Sequence, residues 1–94
     1  MNTVPSVFTK RGFSHREIER NGAWRIYGRK GQGTEHFEVV KITSHNGYAL
    51  AGVHIPAGEV YPCSSTWGIY GFTLPTLEKA REKMVEKAVG AYVA

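Results

Sequence analysis

The clearest pattern of apolar and polar positions lies near the end of the chain, in residues 75 to 89. Apolar side chains recur there at helical spacing, at Leu77, Ala80, Met84 and Ala88. Lysine and glutamate fill most of the positions between them, and Thr73 or Thr76 can cap the start. The pattern predicts a helix over residues 75 to 89, whose apolar stripe must pack against a second layer.

The middle of the chain alternates between apolar and polar residues, which is typical of strands. Residues 23 to 30, 35 to 44 and 48 to 55 are the three strand segments, and each is rich in β-branched or aromatic residues. Residues 31 to 33, Gly-Gln-Gly, suit a three-residue hairpin loop, and Asn46-Gly47 suits a two-residue turn. The sequence therefore predicts an antiparallel meander.

The two turns also predict a register. The first loop places Trp24 opposite Val40, and the second turn places His45 opposite Tyr48. Together they put eight apolar residues on one face of the sheet: Trp24, Ile26, Val40, Ile42, Ala49, Ala51, Val53 and Ile55. We expect the C-terminal helix to pack on this face, because an apolar face needs a partner.

The first 22 residues are harder to interpret. Residues 1 to 12 show no periodicity and read as a flexible arm or a short edge strand. In residues 13 to 22, Ser14 and Glu17 have the spacing of a capping box, whereas Asn21-Gly22 is a strong hairpin signal. Both interpretations stay open. We prefer a short helix, because the hairpin would set glutamates beside apolar residues of the next strand.

Residues 61 to 72 read YPCSSTWGIYGF and connect the third strand to the helix. Gly68 and Gly71 leave room for a bulge that turns Phe72 inward. We expect a bent final strand over residues 67 to 73, with Trp67 packing near the helix. The predicted fold is one α+β domain over residues 1 to 94, with an antiparallel sheet of about four strands on one C-terminal helix.

Composition and charge narrow the choice of function. The chain has 94 residues and a net charge of +4, and residues 1 to 30 carry seven basic residues against two glutamates. Such a basic segment favours attraction to nucleic acid or to an acidic protein surface. The chain has no apolar run near the ~20 residues of a membrane span and lacks the apolar core of a signal peptide. With its single cysteine, this predicts a cytoplasmic protein that does not bind membranes.

The histidines and the cysteine invite a metal or nucleophile hypothesis. His36, His45, His54 and Cys63 lie nine residues apart, but the predicted register puts His45 at a hairpin tip and His54 at the far strand end. Cys63 matches no nucleophile motif, and a buried or half-buried small apolar residue is the plainer interpretation. We expect no metal, no cofactor and no catalysis.

The face of the sheet turned away from the helix mixes aromatic and basic side chains. Such a mixture is typical of protein-binding hot spots and of sheets that bind RNA. The predicted partner-binding residues are Arg25, Tyr27, Arg29, Lys30, Phe37, Lys41 and His54. The alternative is that the N-terminal segment folds over this face, with Phe8, Phe13 and Ile18 covering it.

Three stretches within residues 55 to 84, IPAGEVYP, WGIYGFT and LEKAREKM, carry a resemblance. This part of the chain resembles a recurrent stretch in small proteins of phages and mobile elements, and anti-CRISPR proteins are of this size and style. The resemblance implies an accessory protein in a bacterial host cell that binds and blocks a host component. The first hypothesis is therefore an inhibitor of a host protein or ribonucleoprotein, acting by steric occlusion. A nucleic-acid-binding module is the alternative.

Overall fold

The structure is a computed structural model and describes residues 3 to 89. It contains nine strands: β1 (Val7–Lys10), β2 (Phe13–Asn21), β3 (Trp24–Gly31), β4 (Thr34–Lys41), β5 (Thr43–His45), β6 (Tyr48–Leu50), β7 (Val53–Ile55), β8 (Gly58–Val60) and β9 (Gly71–Leu74). One helix, α1 (Leu77–Ala88), follows the last strand.

Five strands form the main sheet, in the order β1-β2-β3-β4-β9, with antiparallel pairing throughout. The helix α1 packs on β3, β4 and β9. The predicted α+β class, with an antiparallel sheet on a C-terminal helix, is confirmed. The side chain of Thr76, one of the two residues predicted to cap the helix, caps α1 by accepting a hydrogen bond from the backbone N–H of Lys79. Within residues 1 to 12, the edge-strand interpretation holds for β1.

The first core cluster lies between the main sheet and α1. Its buried members are Trp24, Ile26, Val39, Ala80 and Met84. Phe72 packs at its edge and stacks loosely on Trp24, so the expectation that Phe72 turns inward is confirmed. Lys83 and Lys87 extend their ammonium groups over the outer face of the Phe72 ring, which keeps their charges near solvent while their stems cover apolar surface.

A second core cluster lies on the opposite face of the sheet. Tyr27, Val40 and Ile42 are its buried members, and its cover consists of Val4, Phe8, Tyr61 and Trp67. The hydroxyl of Tyr27 donates a hydrogen bond to the carbonyl of Pro5, at 2.9 Å, which ties the N-terminal segment to the sheet. The face that the sequence analysis expected to be open is therefore covered, and Phe8 is among the residues that cover it.

The predicted register between β3 and β4 is wrong by one residue. Gln32 and Gly33, with φ angles of 53° and 80°, form a two-residue turn, so that Gly31 pairs with Thr34. Trp24 consequently pairs with Lys41. Ile26 stays on the face of Trp24, whereas Val40 and Ile42, which were predicted to share it, lie on the opposite face. Local apolarity could not decide between the registers, because Val39 and Val40 are both fully buried, one on each face.

The preferred short helix at residues 13 to 22 is also wrong, because these residues form β2. A register shift between Glu17 and Glu19 places both carboxylates beside apolar residues of β3, the arrangement that argued against a hairpin. Arg20 binds Glu17, and Arg81 of α1 binds Glu19 at 2.6 Å. The hydrogen bond from Arg20 lowers the pKa of Glu17, which stays ionised in the folded protein.

The predicted turn at Asn46-Gly47 and the single strand over residues 48 to 55 are wrong as well. The chain reverses at Ala51-Gly52, where φ is 50° and 79°, and β6 pairs with β7. The strands β5 and β8, which lie farther from this reversal, pair in the same register as β6 and β7. Residues 43 to 60 thus form one long two-stranded hairpin, which we call the arm, and the four arm residues predicted to lie in the core do not reach it.

Trp67 does not pack near the helix, and the final strand is shorter than predicted. A turn through Gly68, at φ 92°, carries the chain back so that Trp67 bridges to Gly71. The indole packs against the second cluster, on the face opposite α1. Its N–H donates to the hydroxyl of Thr73, at 3.0 Å, which fixes the plane of the ring.

The close approach of Trp67 to Gly71 gives a first testable prediction. A methyl group added at Gly71 would overlap the six-membered ring of Trp67, and the backbone there is not left-handed. We expect Gly71→Ala to lower the free energy of unfolding by about 1–3 kcal/mol, the usual cost of overpacking. In a Trp67→Ala background the same change should be neutral or stabilising. Urea denaturation followed by circular dichroism measures both, and equal costs in the two backgrounds would contradict the prediction.

Candidate binding surfaces

The seven residues predicted to bind a partner do not form one surface. Tyr27 is buried under the N-terminal segment, and Arg25 is buried against Glu59 at the base of the arm. Phe37 lies on the other side of the sheet, where it packs against the first cluster. The predicted register thus misplaced Phe37, whereas Arg25 and Tyr27 lie on the predicted face, which is covered, and none of these three side chains offers an open face.

The other four predicted residues do not form one surface either. Arg29 is half-buried and belongs to a cleft described below, and Lys30 is exposed one residue further along β3. The ammonium of Lys41 lies over the ring of Tyr70, 5.6 Å from its centre. His54 is exposed on the arm. The structure brings Arg29 and Lys30 to the same end of the sheet and does not bring the others to it.

A cleft of about 390 Å³ opens on the face of the sheet opposite α1. Its cations are Lys10, Arg11 and Arg29, and its aromatic walls are Phe13, Tyr61 and Trp67. Its remaining lining residues are His15, Glu38, Pro62, Cys63, Ser64 and Thr73. Lys10 is the last residue of β1, Arg11 lies in the turn that follows, and β3 supplies Arg29, so the charges converge from different segments of the chain.

Glu38 lies at the floor of this cleft and organises the groups around it. The hydroxyl of Tyr61 donates a hydrogen bond to Oε1 of Glu38, and Nε2 of His15 lies 3.5 Å from the same oxygen. Nη1 of Arg29 lies 3.3 Å from the other oxygen, Oε2. Since Glu38 and His15 are both buried, this polar cluster is held by packing as well as by charge.

Aromatic rings fix the cluster from above. Phe8 stacks on His15 with ring centres 4.5 Å apart, and Tyr61 meets Phe8 edge-on at 5.4 Å. The guanidinium of Arg29 lies over the ring of Phe13 at 4.8 Å. Each polar side chain of the cluster is thus held by an aromatic neighbour as well as by Glu38, which preorganises the cleft.

The chemistry of this cluster is that of a scaffold for binding. Burial, reinforced by the hydrogen bond to Glu38, raises the pKa of Tyr61. The hydroxyl therefore stays protonated and serves as a donor to Glu38. The single negative charge of Glu38 is met by Arg29. Among residues 3 to 89 no carboxylate forms a salt bridge with Lys10 or Arg11, and the ammonium of Lys10 lies over the ring of Tyr61 at 5.7 Å.

Cys63 lies at the rim of the cleft and is exposed, so the expectation that it is buried or half-buried is wrong. Its Sγ lies 2.8 Å from the hydroxyl of Ser65. This hydrogen bond lowers the pKa of the thiol. The thiol is held by its own loop, which turns through a short 3₁₀ segment at Ser64–Thr66.

The histidines spaced nine residues apart lie on separate strands, β4, β5 and β7. Among residues 3 to 89 no group of three or more histidine, cysteine or glutamate side chains lies close enough to hold a metal ion. Over the same residues, no helix is long and apolar enough to cross a membrane.

The outer half of the arm is a second surface of interest. Tyr48 pairs with Ile55 and Leu50 pairs with Val53, so these four large apolar side chains share one face of the ribbon. We call them the apolar strip. Three of them are 50%, 62% and 59% exposed, in the order Tyr48, Leu50, Val53. Residues 46 to 57 include no charged residue, so nothing on this half of the arm opposes its burial against an apolar partner.

The base of the arm is anchored to the sheet by Glu59 of β8. Nη2 of Arg25 lies 3.3 Å from both carboxylate oxygens of Glu59, and the backbone N–H of Val4 donates to one of them at 3.0 Å. Arg25 is buried, so this contact is shielded from solvent. The two strands of the tip, β6 and β7, pair with each other, whereas Glu59 attaches the base of the arm to the main sheet.

Sequence reasoning missed the cleft and the apolar strip. The alternation of Phe13, His15 and Glu17 was the available signal that residues 13 to 21 form a strand. The return of Tyr61 to cover Glu38 had no local signal, since the two residues are 23 positions apart. The reversal at Ala51-Gly52 lacks the asparagine that marks such turns. Comparison of the chain with protein-family models, with curated proteins and with solved structures found no match.

Proposed function

We propose that this chain is a non-enzymatic binding protein that inserts the tip of its arm into an apolar groove of a partner protein. The observation that carries the proposal is the apolar strip, four large side chains on one face of the outer half of the arm, where residues 46 to 57 include no charged residue. A small domain rarely exposes so many adjacent apolar side chains unless they bind something. Leu50 and Val53, the most exposed pair, are the expected anchors.

The proposed partner is a host protein or ribonucleoprotein, which the chain blocks by steric occlusion. The resemblance of residues 55 to 84 to proteins of phages and mobile elements supports this choice of partner. A rigid base and a projecting tip suit occlusion, because the body of the domain then lies across the surface next to the groove. Ordering costs on binding stay small, since the hairpin is already formed.

The test is affinity capture of the partner from a bacterial lysate, with identification by mass spectrometry. We expect the native chain to retain one partner. The Leu50→Ser/Val53→Ser variant should retain at least tenfold less of this partner, because burial of the two anchors contributes several kcal/mol to the binding free energy. The matched control is Ala49→Ser/His54→Ser, on the opposite face of the same hairpin. This control should retain the partner.

Two results would overturn the proposal. Loss of the partner with the opposite-face variant and not with the strip variant would assign binding to His54, as the sequence analysis suggested. Sedimentation of the isolated native chain as a dimer that the strip variant dissociates would show that the strip binds a second copy.

A further inference from the structure

We propose that the cleft binds a nucleotide, with its phosphate at the cationic mouth and its base against the aromatic walls. This inference uses residues other than those of the arm, so it stands or fails independently of the proposed function. It rests on the charge at the mouth, on the aromatic lining and on the size of the cleft.

The positively charged side chains at the mouth of the cleft favour an anionic ligand. Lys10, at the end of β1, and Arg11, in the turn that follows, are exposed, whereas Arg29 is held at the wall by Glu38. Because Glu38 is buried beneath Arg29, its charge is compensated before a ligand arrives. A phosphate at the mouth therefore meets a preorganised guanidinium and two exposed cations, which is the usual composition of a phosphate site.

The aromatic walls select a planar group beside the phosphate. The indole of Trp67 is fixed by its hydrogen bond to Thr73 and lies over Gly71, where a larger residue would displace it. Phe13 and Tyr61 line the cleft as well, with the guanidinium of Arg29 over the Phe13 ring and the ammonium of Lys10 over the Tyr61 ring, so Trp67 is the principal stacking surface. Stacking of a base on such rings is sequence-tolerant and contributes roughly fivefold to a hundredfold in affinity per base. An acidic peptide would use the cations and leave these rings unused.

The volume of the cleft limits the size of the ligand that it can hold. A volume of about 390 Å³ is near the lower end of the range for small-molecule sites and suits one nucleotide. A duplex does not enter such a cleft. The nucleotide is therefore either a free mononucleotide or one unit of a single strand, and the two sources share the chemistry that the cleft recognises.

The experiment is calorimetric titration of the native chain with five probes: adenosine monophosphate, adenosine, inorganic phosphate, a short oligoadenylate and hexaglutamate. We expect the nucleotide to bind at least tenfold more tightly than either adenosine or phosphate alone, because only the nucleotide uses both walls and mouth. Binding of the oligoadenylate without measurable binding of the mononucleotide supports the proposal with a single strand as the source. Equal binding of phosphate or hexaglutamate and the nucleotide overturns it, as does the absence of binding by both nucleotide probes.

The variants test the location. Lys10→Gln/Arg11→Asn should weaken nucleotide binding at least tenfold, and asparagine suits residue 11 because its φ is 53°. The control Arg16→Gln/Lys79→Gln removes the same charge from exposed positions outside the cleft and should stay within twofold. If both variants lose affinity equally, binding is a general attraction of charge and the proposal is wrong. Ligand-induced quenching of fluorescence should vanish in Trp67→Phe while calorimetric binding remains.

Discussion

Replacing Glu38 by alanine should lower the free energy of unfolding by about 3–5 kcal/mol, the usual cost of removing one partner from a buried ion pair. The change leaves Arg29, His15 and the hydroxyl of Tyr61 facing an empty space under aromatic rings. Since a small domain has a total stability of about 5–15 kcal/mol, such a loss is a large part of the whole. Urea denaturation at neutral pH measures it.

The matched control is Glu35→Ala, on the same strand and exposed, which should change stability by no more than about 0.5 kcal/mol. Glu38→Gln keeps the shape and one acceptor oxygen, so its cost should fall between the two. If Glu38→Ala proves too unstable to purify, a larger loss of stability for Glu38→Gln than for Glu35→Ala still tests whether the polar cluster stabilises the fold. A cost below about 1 kcal/mol for Glu38→Ala would mean that the polar cluster does not stabilise the fold.

The second large effect is expected at Met84. Ala80 and Met84 are the buried residues of α1 within the described part of the chain, and Met84 is the larger of the two. Met84→Ala leaves a cavity between the helix and Ile26 and Val39 of the sheet, which should cost about 2–5 kcal/mol. Thermal and urea unfolding measure the loss.

Val85 provides the comparison for Met84, because it is the next residue in the helix and is exposed. Val85→Ala removes apolar atoms from solvent and raises helix propensity, so stability should change by no more than about 0.5 kcal/mol. Comparable losses for the two variants would show that the apolar stripe does not attach α1 to the sheet.

The helix could be predicted from the sequence because its pattern depends on residues within the helix itself. Leu77, Ala80 and Met84 lie at the spacing that one buried stripe requires, and Thr76 caps the same segment. The strands β3 and β4 were predictable for the same reason. In each case the information is contained in about a dozen consecutive residues.

The register and the arm could not be predicted, because they depend on choices that are nearly equal locally. Val39 and Val40 are both buried, so a shift by one residue still gives an apolar face. Asn46-Gly47 is the stronger turn signal by composition, yet the chain turns at Ala51-Gly52. Pairing of β5 with β8 continues the register of the tip, and this gain over the whole arm outweighs a favourable local turn.

The site was less predictable than the fold, because its contacts join distant segments. Glu19 in a strand is explained only by Arg81 on the helix, 62 residues later. The cleft needs β1, the floor at Glu38 and the return of Tyr61 after the arm. Of the predicted partner-binding residues, Arg29 lines this cleft and Lys30 is its neighbour on the same strand. Arg25 and Tyr27 are not available to a partner, because the face of the sheet that carries them is covered.

Strand pairing in the arm is interrupted between the β5–β8 pair and the β6–β7 pair, and this interruption affects the tendency of the arm to aggregate. A two-stranded ribbon has two open edges, and open edges are where further strands add during aggregation. Here each paired run is only three residues long, and Pro56, which has no N–H to donate, lies between the two runs on the second strand. An incoming strand thus finds no continuous row of donors along the second strand, and we expect this interruption to disfavour edge-to-edge aggregation of the arm.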